Sequence, residues 1–523
     1  MKRSSRFVRK RKKRKEQLLQ ERAKKKIEDR LKDRPVVTDV DENVQFLGQL
    51  LGDGADVVTR FFTIRYNPDR RAAIIYIDGL VDLPLIDQFV LTPLMTEASE
   101  AEKREKRKDL WEMINESLIQ TGEMKITSKM RDLVDSLLSG DTILFVDGES
   151  NGLIIGSKGW ATRSVEEPKT AAVVRGPREG FTETIRVNTA LIRRRLKDPD
   201  LRLKSYKVGR RTRTDVVLCY IEGVADPQIV EEVERRLETI DLDGVLESGY
   251  IEEMIVDNNW SPFPLVQNTE RPDSAVAHLL EGKVVILVDG TPHALIAPAV
   301  FAQFYCSPED YYERYLIASL LRLLRLLALT IALLGPAFYI AFVSFHTEML
   351  PSQLAIAMAA GRATVPFPSI VEALLMETSV EILREASVRL PGPIGPTIGI
   401  VGALVIGEAS VTAGLVSPLM VIVVGLTTIS SYANPSYNAA ISLRLLRFPI
   451  MIVAAGFGLY GIVLCLMILL HHLVKLESFG VPYMAPMAPL RGQDLKDLLV
   501  RVPWSMMEKR PSIFRPRDEV REE

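Results

Sequence analysis

Apolar residues fall along this chain in two regimes, and the change comes near residue 314. From about residue 41 to 305, short apolar runs alternate with charged stretches, as strands and helices do around a buried sheet. Beyond that, long runs carry almost no charge. Residues 390–443 hold a single charged side chain, Glu408, and the flanking runs 326–347 and 448–474 contain no Asp, Glu, Lys or Arg. A helical crossing of a bilayer takes about 20 apolar residues. The pattern therefore predicts four spans, near 326–347, 394–412, 416–432 and 448–474, with a turn at Gly414, Ser417 and Pro418 between the second and third. Four spans place both ends of the chain on one side. Arg444 and Arg447 then fall on the outer side, against the usual bias of basic residues towards the cytoplasm. A break at Asn434-Pro435 is one way out of that conflict.

The first regime repeats itself. AAIIYIDGLVD at 72–82 returns as VVLCYIEGVAD at 216–226, and TILFVDG at 142–148 returns as VVILVDG at 284–290. The offsets, 144 from Asp78 to Glu222 and 142 from Asp147 to Asp289, are nearly equal, which predicts two copies of one α/β subdomain. Each acid-Gly pair stands where a strand turns. Glycine there supplies a positive φ, and the acid that follows can cap the next helix. No GxGxxG or GxxxxGK[ST] spacing accompanies them, so turn chemistry outweighs phosphate binding.

These patterns predict a multidomain chain: two repeated α/β cytosolic subdomains followed by an all-α polytopic transmembrane domain. The expected divisions are a basic arm (1–40), subdomain 1 (41–173), subdomain 2 (174–313), a membrane domain (314–475) and a cytosolic tail (476–523). The formal net charge of −1 conceals the arm, where residues 1–34 hold 17 Lys/Arg against 5 Asp/Glu. Such an arm is either a solvated tail or a contact for anionic lipid. The segment 174–213, with RGPREGFTE, RRRL and GRRTRT, is either a docking surface or a solvated linker.

Three isolated cysteines, Cys219, Cys306 and Cys465, make no disulfide framework and fit a reducing compartment. Five histidines form no metal-ligand spacing, and no nucleophile elbow is present. We expect no enzyme activity, no cofactor and no metal.

Chemistry concentrates in the second regime. Residues 368–389 predict an amphipathic helix with Ile370, Leu374, Leu375 and Ile382 on an apolar face and Glu377, Glu381 and Glu385 at successive i+4 positions. The acid stripe either lies solvated at the membrane surface, lines a cation path in a ring of subunits, or forms a salt-bridge face. Glu408 is either intramembrane, where an ionised carboxylate costs at least about 2.5–3.5 kcal/mol, or at the membrane edge. Gly395, Gly399, Ala403 and Gly407 make a small-residue seam for close helix packing. SLLRLLRL at 319–326 and SLRLLRF at 442–448 each place two arginines at i and i+3 just before an uncharged run, where they are expected to snorkel to the headgroups.

Several long motifs occur in order: CSPEDYYERYLIASLLRLLR (306–325), FHTEMLP (345–351), VPFPSIVEALLMETSVEILREASVRLP (365–391), IVGALVIGEASVTAGLVSPLMVIVVGLT (400–427) and RLLRFPIM (444–451). Together with RGPREGFTE and GRRTRT they resemble the A-subunit family of bacterial spore germinant receptors (GerA-type), over roughly residues 43–489. The resemblance implies an integral protein of the spore inner membrane with its large N-terminal region cytosolic. It further implies self-association into a nutrient-gated cation-release channel for monovalent cations, with a transporter-like B subunit and a lipoprotein C subunit as partners, lipid around it and no nucleic acid. The family also holds an accessory type, which leaves a non-conducting scaffold as the alternative. Members often carry Gln where this chain has Glu408.

Overall fold

The computed structural model describes residues 34–52, 54–65, 68–98, 110–114, 118–119, 121–159, 168, 173, 175–389, 402, 405–492 and 494–521. The chain divides into two compact units. The first comprises Met1–Val256, Val266–Pro298 and Trp504–Glu523; the second comprises Asp257–Leu265 and Ala299–Pro503. The boundary thus falls at Ala299 rather than 314, and the tail is shared between the units.

The first unit holds two five-stranded sheets. Strands β1 (Val57–Ile64), β2 (Arg70–Ile77), β3 (Met124–Thr127), β4 (Thr142–Val146) and β5 (Gly152–Ile155) lie in the order β1-β2-β4-β5-β3. Strands β6 (Leu201–Val208), β7 (Thr214–Ile221), β8 (Gln267–Thr269), β9 (Val284–Val288) and β10 (Ala294–Ala297) lie in the order β6-β7-β9-β10-β8, the same path. All these pairs are antiparallel. The repeated motifs occupy equivalent places: β2 pairs with β4 through Ala72↔Val146, and β7 pairs with β9 through Val216↔Val288.

The turns follow the reading of the acid-Gly pairs. Gly79, Gly148, Gly223 and Gly290 have φ of 85°, 87°, 86° and 86°, a region that side chains with a Cβ disfavour. Asp82 then accepts from the Leu85 N–H and Asp226 from the Gln228 N–H, each opening a helix.

Helices of eight residues or more are numbered in chain order. In the first unit these are α1 (Val40–Leu51), α2 (Met130–Leu137), α3 (Ile185–Arg195), α4 (Pro227–Glu238), α5 (Ser248–Ile255) and α6 (Pro272–Leu280). One face of the first sheet, with Ala73, Ile75, Ile143 and Phe145, packs on Leu47 and Leu51 of α1 and Leu133 and Leu137 of α2. The other, with Ile74, Leu144 and Val146, packs on Ile86, Val90 and Leu94. Burial on both faces explains the unbroken apolar runs of β2 and β4, since alternation survives only where one face meets water.

Part of the basic segment between the sheets is built into the fold and is not a free linker. Arg193 is 1% exposed and grips buried Asp56 with two hydrogen bonds, of 2.7 and 3.2 Å. Arg194 and Arg195 both pair with Glu179, and Arg210 reaches Asp241 and Asp243 at 3.2 Å each.

The second unit is built from α7 (Tyr315–Ser344), α8 (Ser352–Arg362), α9 (Ser369–Arg389), α10 (Pro418–Tyr432) and α11 (Tyr437–Lys475). Two of these, α7 and α11, are long and apolar enough to cross a membrane. Residues 405–412 are also helical. A straight helix of 39 residues would run about 58 Å, but α11 (39 residues) is not straight. Gly458 inside it has φ 61° and ψ −141°, outside the helical region. Ser442 Oγ donates to the Pro262 carbonyl, and His472 Nε2 lies 3.1 Å from Ser261 Oγ. Two neighbouring loop residues therefore touch positions that an unbroken helix would hold about 45 Å apart. The helix folds back on itself as a hairpin with its tip at Gly458. A Cβ there would meet His346 Cε1 at 2.7 Å and Phe345 Cβ at 3.1 Å, so the tip abuts the end of α7.

This corrects the expected single span at 448–474, which is the tip and parts of both legs. Local apolar character reads the same whether a run goes straight or turns at a glycine. At the other end, Leu329 of α7, Asn434 just before α11, Ala439 and Leu443 of the first leg, and Tyr483 beyond the second leg share the lining of one small cavity. Arg444 and Arg447 therefore stand at the same end of the helical unit as Arg322 and Arg325.

Candidate functional site

The site rises from α9. Ser369 Oγ is 2.7 Å from Ser344 Oγ, so α9 starts beside the end of α7 and runs back towards the base of the hairpin. Its faces are the reverse of a solvated amphipathic helix. Glu372 and Glu377 are both 0% exposed, while Leu375 and Ile382 are 45% and 65% exposed. This overturns the reading of Glu377 on a solvated acid face. In water such a helix would leave apolar area unburied; against lipid it is the sensible arrangement, with charge turned inwards.

Each buried acid meets a cation or a capping group. Glu372 Oε1 accepts from the backbone N–H of Ser417 at 2.6 Å and from its hydroxyl, while Oε2 is 3.5 Å from Arg362 Nε. Tyr339 Oη lies 2.8 Å from the same Ser417 hydroxyl. Ser417 is the N-cap of α10, so this cluster ties α7, α9 and the start of α10 together. Deeper along α9, Glu377 Oε2 accepts from Arg447, itself 2% exposed in its side chain. One turn on, Glu381 is 3.3 Å from Arg444 and 3.6 Å from Arg384. Arg384 also donates to Ser431 Oγ at 3.0 Å and covers the Tyr432 ring at 4.7 Å.

The result is a ladder of carboxylates and guanidinium groups along the inner face of α9. Satisfaction is incomplete: Glu377 Oε1, Arg447 Nε and Nη2, Arg444 Nε and Arg384 Nε are buried without a hydrogen-bond partner among the described residues. Unpaired capacity of this kind is where water or a mobile ion gains most.

The remaining expected residues divide. Glu385 is exposed and lines an open groove of about 530 Å³ with Thr378, Glu381, Ile382, Ala386 and Phe448. Glu408 is exposed, in the helical residues 405–412, and its carbonyl accepts from Thr412 Oγ1 at 2.8 Å. Gly407 is buried, and a Cβ there would meet Val421 Cγ1 at 3.3 Å, as a packing seam requires. Gly395, Gly399 and Ala403 lie outside the described residues. The sequence reading missed Glu372, Arg362, Arg384 and Tyr339, and it placed Ser417 only in a turn. Glu372 stands five residues before Glu377, out of step with the i+4 stripe.

The first pair of arginines has its own acids. Arg322 Nε is 3.0 Å from Asp310 and its Nη1 is 2.7 Å from Asp497; Arg325 reaches Asp310 at 2.6 Å. Burial alone would raise the Asp310 carboxyl, but Arg325 and Arg322 overrule it and hold it below the usual carboxylate range. Arg322 is 1% exposed, so it does not snorkel. Neither does Arg447.

Residues 45–513 match the family model described as Bacillus/Clostridium GerA spore germination protein. The chain belongs to this family. It is 45% identical to spore germination protein KA of Bacillus subtilis (strain 168), over 94% of this chain and 90% of that one. Against spore germination protein B1 of the same organism, identity is 41% over 93% and 99%. An uncharacterized membrane protein of that organism, YfkQ, is 44% identical over 94% of both chains. Among solved structures, the N-terminal domain of the A subunit of the Bacillus megaterium spore germinant receptor GerK3 is similar. It shares 38% identity at a TM-score of 0.41 and covers 51% of this GerA-family chain and 97% of that one. The family's spore germination role is therefore the frame for the ladder.

Proposed function

We propose that this GerA-family chain is the A subunit of a nutrient-germinant receptor in the spore inner membrane. It associates with copies of itself and with transporter-like B and lipoprotein C subunits, and the assembly releases monovalent cations when nutrient binds. The first unit faces the cytosol and consists of two copies of one α/β subdomain. The second crosses the bilayer six times, through α7, α9, the run 394–412, α10 and the two legs of α11. An even number keeps both ends of the chain on the cytosolic side.

The observation that carries the reading is the inverted helix α9. A membrane segment keeps buried acids only where they work, and here each sits against a cation on a neighbouring helix. The ladder is a latch. With Glu377 held by Arg447, no carboxylate of that turn faces a path; separating α9 from α11 frees both the acid and the guanidinium to face water. A carboxylate ring so exposed attracts cations.

Spores carrying Glu377→Gln or Arg447→Gln are expected to release potassium with altered nutrient dependence. The exchanged pair, Glu377→Arg with Arg447→Glu, restores it. Unchanged efflux in both single variants would remove the latch. The alternative, a non-conducting scaffold or accessory paralogue, draws support from the pairing of Glu377 and Glu381 with arginines. Purified protein in planar bilayers separates the two: cation-selective current supports the channel, and its absence supports the scaffold.

A further inference from the structure

Outside the ladder, the feature least explained by folding is Trp260. It is 96% exposed, in the loop Asp257–Leu265 that belongs to the helical unit. A ring this size loses the most by standing in water. The loop that presents it is not loose. The Trp260 N–H donates to Asn258 Oδ1 at 3.0 Å, Ser261 touches His472, and Pro262 accepts from Ser442. Phe263 packs its ring on His472, Phe301 and Tyr483 at centroid distances of 6.2–6.5 Å. Both legs of the α11 hairpin therefore hold the loop at their base, with the indole pointing away.

Exposed aromatic side chains mark two levels of this bundle. At the base stand Trp260, Tyr432 and Tyr437, the two tyrosines 68% and 60% exposed; at the tip stand Phe457 and Tyr460, 65% and 71% exposed. From Tyr437 to Phe457 the first leg rises about 30 Å, the thickness of a hydrocarbon core. On this leg the exposed residues between the levels are apolar: Ile441, Leu445, Pro449, Ile452 and Gly456. Aromatic rings at two levels with an apolar band between them are the pattern of a membrane–water interface.

We propose that Trp260 is a lipid anchor: its indole seats in the phospholipid headgroup layer at the base of the hairpin. It fixes the depth of the hairpin from a loop that the first regime of the sequence contributes. The proposal rests on the membrane reading of the second unit.

The test uses the full chain reconstituted in phosphatidylcholine–phosphatidylglycerol nanodiscs containing lipids brominated near the headgroup or deep in the acyl chain. Trp111→Phe, Trp160→Phe and Trp504→Phe leave Trp260 as the reporter; the difference between unmodified chain and Trp260→Phe serves if that background folds poorly. Shallow bromine is expected to quench Trp260 by roughly half, and deep bromine far less, as an interfacial ring requires. Quenching by aqueous iodide but by neither lipid places the ring in water and overturns the anchor. Protection from both places it under a protein partner and overturns it equally. A control carrying Ile452→Trp with Trp260→Phe reads the membrane itself. If deep bromine quenches the control while Trp260 stays silent, only the anchor fails. If the control is silent too, the membrane reading falls with it.

Discussion

Two stretches of this chain share the four residues Arg-Leu-Leu-Arg, at 322–325 and 444–447, and the protein uses them differently. In the first, one acid serves both arginines: Asp310 bonds Arg322 and Arg325, and Asp497 assists. Those acids come from short 3-10 turns outside the helices. In the second, each arginine takes its own acid, Glu377 for Arg447 and Glu381 for Arg444, both from α9. A motif seated on turns anchors a helix end. A motif seated on another helix ties two helices together. An arginine on an apolar helix must be neutralised wherever it sits; what the neutralising group is attached to decides which elements the pair joins.

The difference can be broken experimentally. Asp310→Ala removes the acid of Arg325 and leaves buried Arg322 with Asp497 alone. Removing one partner of a buried pair costs about 3–5 kcal/mol, so this variant is expected to show the largest loss, read as thermal unfolding in detergent. Acid treatment follows the same logic. The folded Asp310 value lies below its unfolded one, so its contribution is present above about pH 4 and disappears as pH falls through the folded value.

At the second motif, Arg447→Gln leaves Glu377 buried and unpaired, again at about 3–5 kcal/mol, whereas Glu377→Gln with Arg447→Gln together costs less than either alone. An additive double variant would mean that the pair does not couple α9 to α11. Glu381 is 30% exposed in its side chain, at 3.3 and 3.6 Å from its partners, so Glu381→Gln, which removes the acid paired with buried Arg444 but keeps a hydrogen-bonding side chain, is expected to cost less than Arg447→Gln.

An acid beside another acid makes the contrast sharp. Burial pushes Glu252 up to about 7, and Glu247 adds to the rise. A raised acid favours the fold at low pH, and that advantage is lost as pH climbs from about 4.5 through 7. Glu252→Gln should therefore raise the melting temperature at pH 8 and leave it unchanged at pH 4, opposite to any change at Asp310.

Much of the sheet unit is legible one residue at a time. The repeated apolar runs, their offsets and the acid-Gly turns each constrain backbone within a few positions, and the strands and caps fall where those patterns put them. The helical unit resists such reading. Nothing near Gly458 distinguishes a bend from a straight run, because glycine is tolerated inside membrane helices as well as at turns. The stripe Glu377, Glu381 and Glu385 is visible as a stripe, but which face of α9 looks inward depends on Arg447, 70 residues away.

By itself the sequence determined the two regimes, the duplicated strand motifs, the apolar runs and the family, all of which rest on local periodicity or contiguous identity. Only the tertiary structure decided that α11 turns back, that α9 carries its charge inwards, and that the arginines choose these acids. The physical reason is range. Backbone preference and hydrophobic period act over a few residues, whereas an ion pair in an apolar interior is settled by whatever the rest of the fold brings within about 4 Å.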